Sequence, residues 1–333
     1  MIQNLTILNI FKDDLEWLDR FITHHCEQFE KVIMLNTGNK ETYEKAKTYQ
    51  HSFKNLEIHY LEYEDTHFGN FRNDCLKLFE GETDHYCWVD TDEILLINTE
   101  EFKLTPSVQV GIIRRSDASG RFETNLERLF RKDVTGSWER RIHEGFSHRS
   151  QTIPLKDCYI RHLTSEVDRS QSKKMLYYML LTAELDEGFY CDDRRKQVFA
   201  LQHLIPMASH DLKRPDLTIS VFEQNKELIM NLEPYEISSL QYVNLLIHTI
   251  MSYSRLHQNI DPALVFKIID LDCTKSTIFQ VMRALVFNPA THDLIKQFYE
   301  TRYTELIDEN ELFNNKDYLI EREIEWFERK LYE

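Results

Sequence analysis

Glycine and proline are scarce, eight and seven among 333 residues. That excludes a collagen-like chain and a Pro/Gly-rich low-complexity one. Positive charge is also in deficit: 40 Lys and Arg face 56 Asp and Glu, for a formal net charge of -16. Such a balance argues against a general affinity for nucleic acid or for an anionic membrane, although it leaves room for a local basic groove. The cysteines, Cys26, Cys75, Cys87, Cys158, Cys191 and Cys273, are scattered and form no CxxC pair. Reduced thiols are therefore expected, rather than a disulfide framework or a zinc site. No basic segment followed by an apolar signal region opens the chain, and no hydrophobic run has the length of a membrane span. The expectation is a cytoplasmic protein without a membrane span.

Hydrophobic residues make up 42% of the chain, enough for real cores, and its length suits two domains or one with a large appendage. The first half alternates between two periodicities. Leu5–Phe11 reads as a strand, and from Asp13 to about Glu27 the residues Leu15, Leu18, Phe21 and Ile22 recur at helical spacing. Lys31–Asn36 reads as a second strand, Glu41–Phe53 as a second helix and Leu56–Leu61 as a third strand. Strand, helix, strand, helix, strand predicts an α/β layered domain. A further helix carries Arg72, Cys75, Leu76 and Phe79 toward the run His85-Tyr-Cys-Trp-Val, which has the length and aromatic content of a buried strand.

That run stops at Asp90-Thr-Asp92-Glu93. The carboxyl ends of strands in open α/β sheets are where ligands bind. Asp90 and Asp92 are two apart, so an extended strand would place both on one side. Two converging carboxylates are costly unless a cation joins them, and a hard divalent ion that also grips phosphate oxygens suits that place. A solvated acidic turn is the plainer alternative. Arg72, near a helix start, could meet a phosphate or only a neighbouring acid such as Asp74 or Glu80. Beyond the acids, Val108–Arg114 is strand-like, Arg115–Arg121 is a polar loop, and Asn125–Arg131 fits either a strand or a helix. Ser137–Ile142 leads to His143-Glu144, and Asp157–His162 ends in another histidine, so both segments bring titratable groups back toward the acidic edge. Each histidine reads as a metal ligand, a phosphate donor or, most simply, a hydrogen-bonded core residue. Glu144 reads as a general base or as an ion-pair partner of Arg140 or Arg141.

Taken in order, these pieces resemble the GT-A glycosyltransferases of the family 2 type, in particular a bacterial branch with helical, sometimes tetratricopeptide-like, C-terminal extensions. The segments that carry the resemblance are Thr6 with its acidic exit at Asp13, Met34-Leu-Asn36-Thr-Gly-Asn39, Phe71-Arg72-Asn73, Trp88-Val-Asp90-Thr-Asp92-Glu93, Arg128-Leu-Phe-Arg131, Trp138, Ile142-His143-Glu144 and Ile160-Arg-His162. They span roughly residues 5–182. Asn36 departs from the pattern, because many relatives have an acid there, and Asn39 stands where a serine is common.

The resemblance implies a GT-A nucleotide-sugar-binding domain with a mostly parallel central sheet over residues 1–182, followed by an all-α domain over 183–333. It implies an inverting transfer of sugar from a nucleoside diphosphate sugar, a UDP-sugar favoured, to a hydroxyl or other nucleophile. Mn2+ or Mg2+ would be held by Asp92, Asp90 and His162. Asp13, Asn36, Arg72, Asn73 and Asp90 would contact the donor. Glu144 is the first choice of base and Glu93 the second. His143, Trp138 and Arg131 are further donor or acceptor contacts. A nucleotidyltransferase could use the same carboxylate edge, but Ile10–Asp13 offers little of the glycine- and basic-rich loop it needs. A degenerate transferase serving as a helical interaction protein is the non-enzymatic alternative. The acceptor, whether glycan, peptide or modified nucleic acid, is not legible.

After Ser170 the pattern turns helical. Helices are predicted from Lys173 to Glu187-Gly188 and over Val198–His203, Leu217–Met230, Ile237–Tyr253, Pro262–Leu271, Thr277–Val286 and Lys316–Leu331, with Pro206, Pro215, Pro234, Pro262 and Pro289 at boundaries. No 34-residue repeat signature is visible, so an irregular bundle or short solenoid is expected. Such a domain would brace the catalytic one, present an acceptor, or join two copies of the chain.

Overall fold

The computed structural model describes residues 2–13, 15–64, 66–163, 171–186 and 194–271. The helices expected over Thr277–Val286 and Lys316–Leu331, the Glu187-Gly188 helix end, Pro289, Cys191 and Cys273 lie outside the described residues. The chain divides into two compact units, Met1–Arg169 and Ser170–Glu333.

The first unit is built on an eight-stranded sheet. Its strands are β1 (Ile2–Phe11), β2 (Phe29–Asn36), β3 (Leu56–Tyr60), β4 (His85–Trp88), β5 (Glu93–Ile97), β6 (Val110–Ser116), β7 (Phe122–Arg131) and β10 (Thr152–His162), in the order β3-β2-β1-β4-β7-β6-β10-β5. A separate hairpin pairs β8 (Ser137–Glu139) with β9 (Gly145–Ser147). The sheet is more mixed than expected. The run β3-β2-β1-β4 and the β6/β10 ladder are parallel, whereas β7 is antiparallel to both β4 and β6, and β5 is antiparallel to β10. The ambiguous stretch Asn125–Arg131 is thus a strand, because each of its edges has a partner to hydrogen-bond.

The two-residue alternation that marks the strands also sorts the core. Leu5, Ile7, Val32, Met34, Cys87 and Val89 pack on one face with Leu18, Phe21, Ile22 and Cys26 of α1 (Leu15–Gln28) and Ala46 of α2 (Lys40–Lys47). Leu8, Ile33, Leu35, Tyr86, Trp88 and Phe130 pack on the other, with Cys75 of α3 (Phe68–Lys77) and with Trp138 and Phe146 of the hairpin. Cys26, Cys75, Cys87 and Cys158 are free thiols buried in these layers. His25 fastens α1 to β5: its Nδ1–H donates to the Phe21 carbonyl at 2.8 Å and its Nε2 accepts from the Leu95 N–H at 3.3 Å. Burial, with His24 beside it, pushes the His25 pKa down to about 3, so the ring is neutral.

The described part of the second unit is helical: α4 (Gln171–Asp186), α5 (Arg194–Pro206), α6 (Pro215–Gln224), α7 (Lys226–Met230), α8 (Ser239–Arg255) and α9 (Pro262–Asp270). The stretch expected as one helix over Leu217–Met230 breaks at Asn225, whose backbone leaves helical geometry (φ -117, ψ 15). Pro206 marks a helix boundary, as expected. It is the last residue of α5 and runs directly into a π-helical turn at Met207–Asp211. Pro215 and Pro262 each open a helix, where the missing N–H costs nothing. The buried stripe of α8, including Tyr242, Leu245, Leu246 and Ile250, forms the centre of this unit. Among the described residues no helix is long and apolar enough to cross a membrane.

Candidate functional site

The acidic segment is a tight turn, not an extended strand. Strand β4 ends at Trp88, and the Glu93 N–H donates to the Asp90 carbonyl at 2.9 Å. The Glu93 carboxylate returns the contact, accepting from the Asp90 N–H at 3.0 Å. Asn9, buried on β1, braces the exit from β4: its amide donates to the Val89 carbonyl at 2.8 Å. This closure turns Asp90 and Asp92 toward different partners, which corrects the expectation that both lie on one side.

Asp90 is held by two arginines. Its Oδ1 accepts from Arg72 Nη2 at 2.8 Å and its Oδ2 from Arg128 Nη2 at 2.8 Å. Burial raises the Asp90 carboxyl, but the Arg128 and Arg72 guanidiniums outweigh it and hold the group well below the usual carboxylate range. Arg72 also donates from Nε to Glu144 Oε1 at 2.6 Å. Its guanidinium carbon sits 5.1 Å from the Trp88 ring centroid and 4.9 Å from that of Trp138, a cation–π cage on a side chain only 5% exposed. Glu93, 1% exposed, has Arg115 Nε at 3.4 Å and Arg128 Nη2 at 3.6 Å from Oε1. Burial pushes its carboxyl up against the pull of Arg128.

Asp92 faces another way. Its Oδ2 lies 3.1 Å from His162 Nε2, and its carbonyl accepts from the Leu163 N–H at 2.8 Å. The pairing follows from the β5/β10 ladder, in which His162 is opposite Glu93. A carboxylate oxygen and an imidazole nitrogen suit Mn2+ or Mg2+ bound largely through a substrate's phosphates. Asp90 is not placed to join them, since both its oxygens are already bonded to guanidiniums. Among the described residues no group of three His, Cys, Asp or Glu side chains converges for a metal.

Glu144 reaches the site through a bent loop. Arg140 and His143 have φ of 76 and 51, conformations that side-chain-bearing residues rarely adopt. The carbonyls of Arg141 and Arg140 accept from the first amides of α3, Phe68 N–H at 3.0 Å and Gly69 N–H at 3.1 Å. A Cβ on Gly69 would lie 2.7 Å from the Arg140 oxygen, so glycine is what lets the loop approach. Asn73 clasps β8, exchanging both of its amide groups with the Trp138 backbone at 2.7 and 2.9 Å. Asn73 and Trp138 thereby position the loop and cage Arg72.

Asp13 and Asn36 bind the chain's own loops. Asp13 Oδ1 accepts from the Asn39 side chain at 2.7 Å and backbone at 3.2 Å, and the Asn36 amide donates to the Lys12 carbonyl at 2.9 Å. They sit at the carboxyl ends of the adjacent strands β1 and β2, at the same sheet edge as Asp90. Arg131 is not brought to this edge. It pairs with His85 at the opposite end of β4 and forms an ion pair with Asp133 at 2.5 Å. Sequence reasoning missed Arg128 and Asn9 as site residues. The signal for each was a polar residue on the buried side of an apolar strand.

No protein-family model matches the chain, and no curated protein matches it. Among solved structures it is similar to S. aureus TarS 1-349 in complex with UDP-GlcNAc, at 12% identity and a TM-score of 0.38, with 94% of each chain covered. The same TarS fragment without ligand gives 12% identity and 0.37 over 94% of each chain. Its complex with UDP gives 12% and 0.35 over 90% of this chain and 91% of that one. These values describe a distant likeness.

Proposed function

We propose that the first unit is a nucleotide-sugar-dependent glycosyltransferase. The observation that carries the reading is the convergence of Arg72, Asp90, Asp92, Glu144 and His162, from four separated segments, at the carboxyl edge of the parallel strands. Arg72 and Arg128 place two permanent cations where a diphosphate would be bound and where negative charge grows as it leaves. Asp90 orients both guanidiniums. Asp92 and His162 are the residues that would hold Mn2+ or Mg2+. When bound, that ion would neutralise charge on the leaving diphosphate.

Glu144 is the better candidate for the base. Its carboxylate is 14% exposed against 1% for Glu93, so an acceptor hydroxyl can approach it. With Arg72 fixing one oxygen, the other end of the carboxylate can take the hydroxyl proton as the new glycosidic bond forms. Glu93 closes the Asp90 turn, a structural duty.

The test is a donor-hydrolysis screen of the full chain across nucleoside diphosphate sugars, with and without Mn2+. Sugar-specific cleavage that is lost in Asp92→Asn supports the reading. A chain that neither cleaves nor binds any nucleoside diphosphate sugar overturns it. Once an acceptor is known, Glu144→Gln is expected to lower kcat by about 10²–10⁴. Transfer that survives Glu144→Gln but not Glu93→Gln would exchange the two roles.

A further inference from the structure

Beyond the donor machinery, the same sheet edge carries a cation with no assigned role. Arg161 is the penultimate residue of β10 and is partly buried. Its Nε is sealed from solvent without a hydrogen-bond partner, and among the described residues the side chain makes no hydrogen bond or ion pair. Its register partners are Ser116 on β6 and Ile94 on β5, and neither of these residues carries a carboxylate. Ser116 is 1% exposed, and its hydroxyl is also buried without a partner. Registered residues of a parallel ladder leave the same face of the sheet, so these two side chains are neighbours.

A half-buried guanidinium that meets no anion among the described residues is unusual in a chain with 56 acidic residues against 40 basic ones. Arg72, Arg115 and Arg128 each meet a carboxylate. Leaving a buried donor unsatisfied is costly, and more so for a charged group. A bound oxyanion would remove that cost for both side chains. It would take a charge-assisted bond from the guanidinium and a second from the hydroxyl.

We propose that Arg161 and Ser116 form a subsite for a phosphate or carboxylate group. Successive residues on a strand face opposite sides of the sheet, so Arg161 points away from the face on which His162 meets Asp92. The anion is therefore not the donor's diphosphate. On the transferase reading it belongs to the acceptor, which makes the acceptor an anionic molecule.

The experiment titrates inorganic phosphate into the full chain, with and without saturating UDP, and reads binding by calorimetry. Wild type is expected to bind phosphate equally in both conditions. Arg161→Gln should weaken binding at least ten-fold and Ser116→Ala about three-fold, while Arg161→Lys retains part of it. Unchanged binding in Arg161→Gln overturns the subsite. Displacement of phosphate by UDP overturns its assignment to a second substrate. Ser116→Ala removes only a hydroxyl and serves as the test if Arg161→Gln does not fold. Because phosphate binding is read directly, the result is independent of whether the chain transfers sugar.

Discussion

Asp90 and Asp92 are two residues apart and live in different chemistry. Asp90 is clamped by Arg72 and Arg128, which come from α3 and β7, while Asp92 meets one histidine from β10. A carboxylate with a guanidinium on each oxygen is a structural anion that fixes cations. A carboxylate facing an imidazole is differently engaged, and the proposed metal role falls to it alone of the two. The difference is made by the turn between them, and in particular by Glu93, whose backbone and side chain both bond Asp90. Spacing alone made the two acids equivalent, whereas the hydrogen bonds divide their duties.

The sharpest way to break that comparison is to remove a clamp. Arg72→Ala leaves Asp90 with Arg128 alone, removes the guanidinium bonded to Glu144 and empties the cage of Trp88 and Trp138. Removing one partner of a buried ion pair costs about 3–5 kcal/mol, and urea unfolding should read a loss of that size. Asp92→Asn should cost no more than about 1 kcal/mol in the same assay, since that carboxylate is 27% exposed and screened by solvent. Equal losses would mean that the two acids are structurally alike after all.

A second contrast lies beneath the Asp92 side. Strand β5, which follows Asp92, is tied to α1 through the neutral His25 ring. The folded pKa is depressed to about 3 while the unfolded one is near 6.5. The unfolded chain therefore binds the extra proton first, and stability falls as pH drops below 6.5. Between pH 6.5 and 5 the expected loss is about 2 kcal/mol, at 1.36 kcal/mol per pH unit. His25→Gln should flatten that slope in urea unfolding at several pH values. A slope unchanged in the variant would assign the acid sensitivity to another group.

Much of this architecture was legible in the sequence. Near-continuous apolar runs in Leu5–Phe11 and Lys31–Asn36 marked the parallel strands because both faces of the sheet are buried. The return of Glu144 and His162 to the acidic edge was readable from strand ends. What was not legible depends on register. Arg128 lies at an irregularity where β7 slips against β6, so counting along the strand does not reveal that it points at Asp90. Pro206 marked the end of α5, but not the wider π-helical turn into which the chain continues.

The smallest expected effect concerns Glu93, and it separates structure from chemistry most finely. In Glu93→Gln the amide oxygen can still accept from the Asp90 N–H, so the turn closes as before. The variant relieves the burial of a charge but gives up the attraction of Arg115 and Arg128 at 3.4 and 3.6 Å. These changes oppose each other, and the net change in unfolding free energy should stay within about 1 kcal/mol. Asp90 should keep both guanidiniums, and on the proposed transferase reading sugar transfer should persist near the wild-type rate. Loss of transfer with stability intact would move the base from Glu144 to Glu93. Loss of both would show that the carboxylate charge, beyond its hydrogen bond, holds Arg128 in place for Asp90.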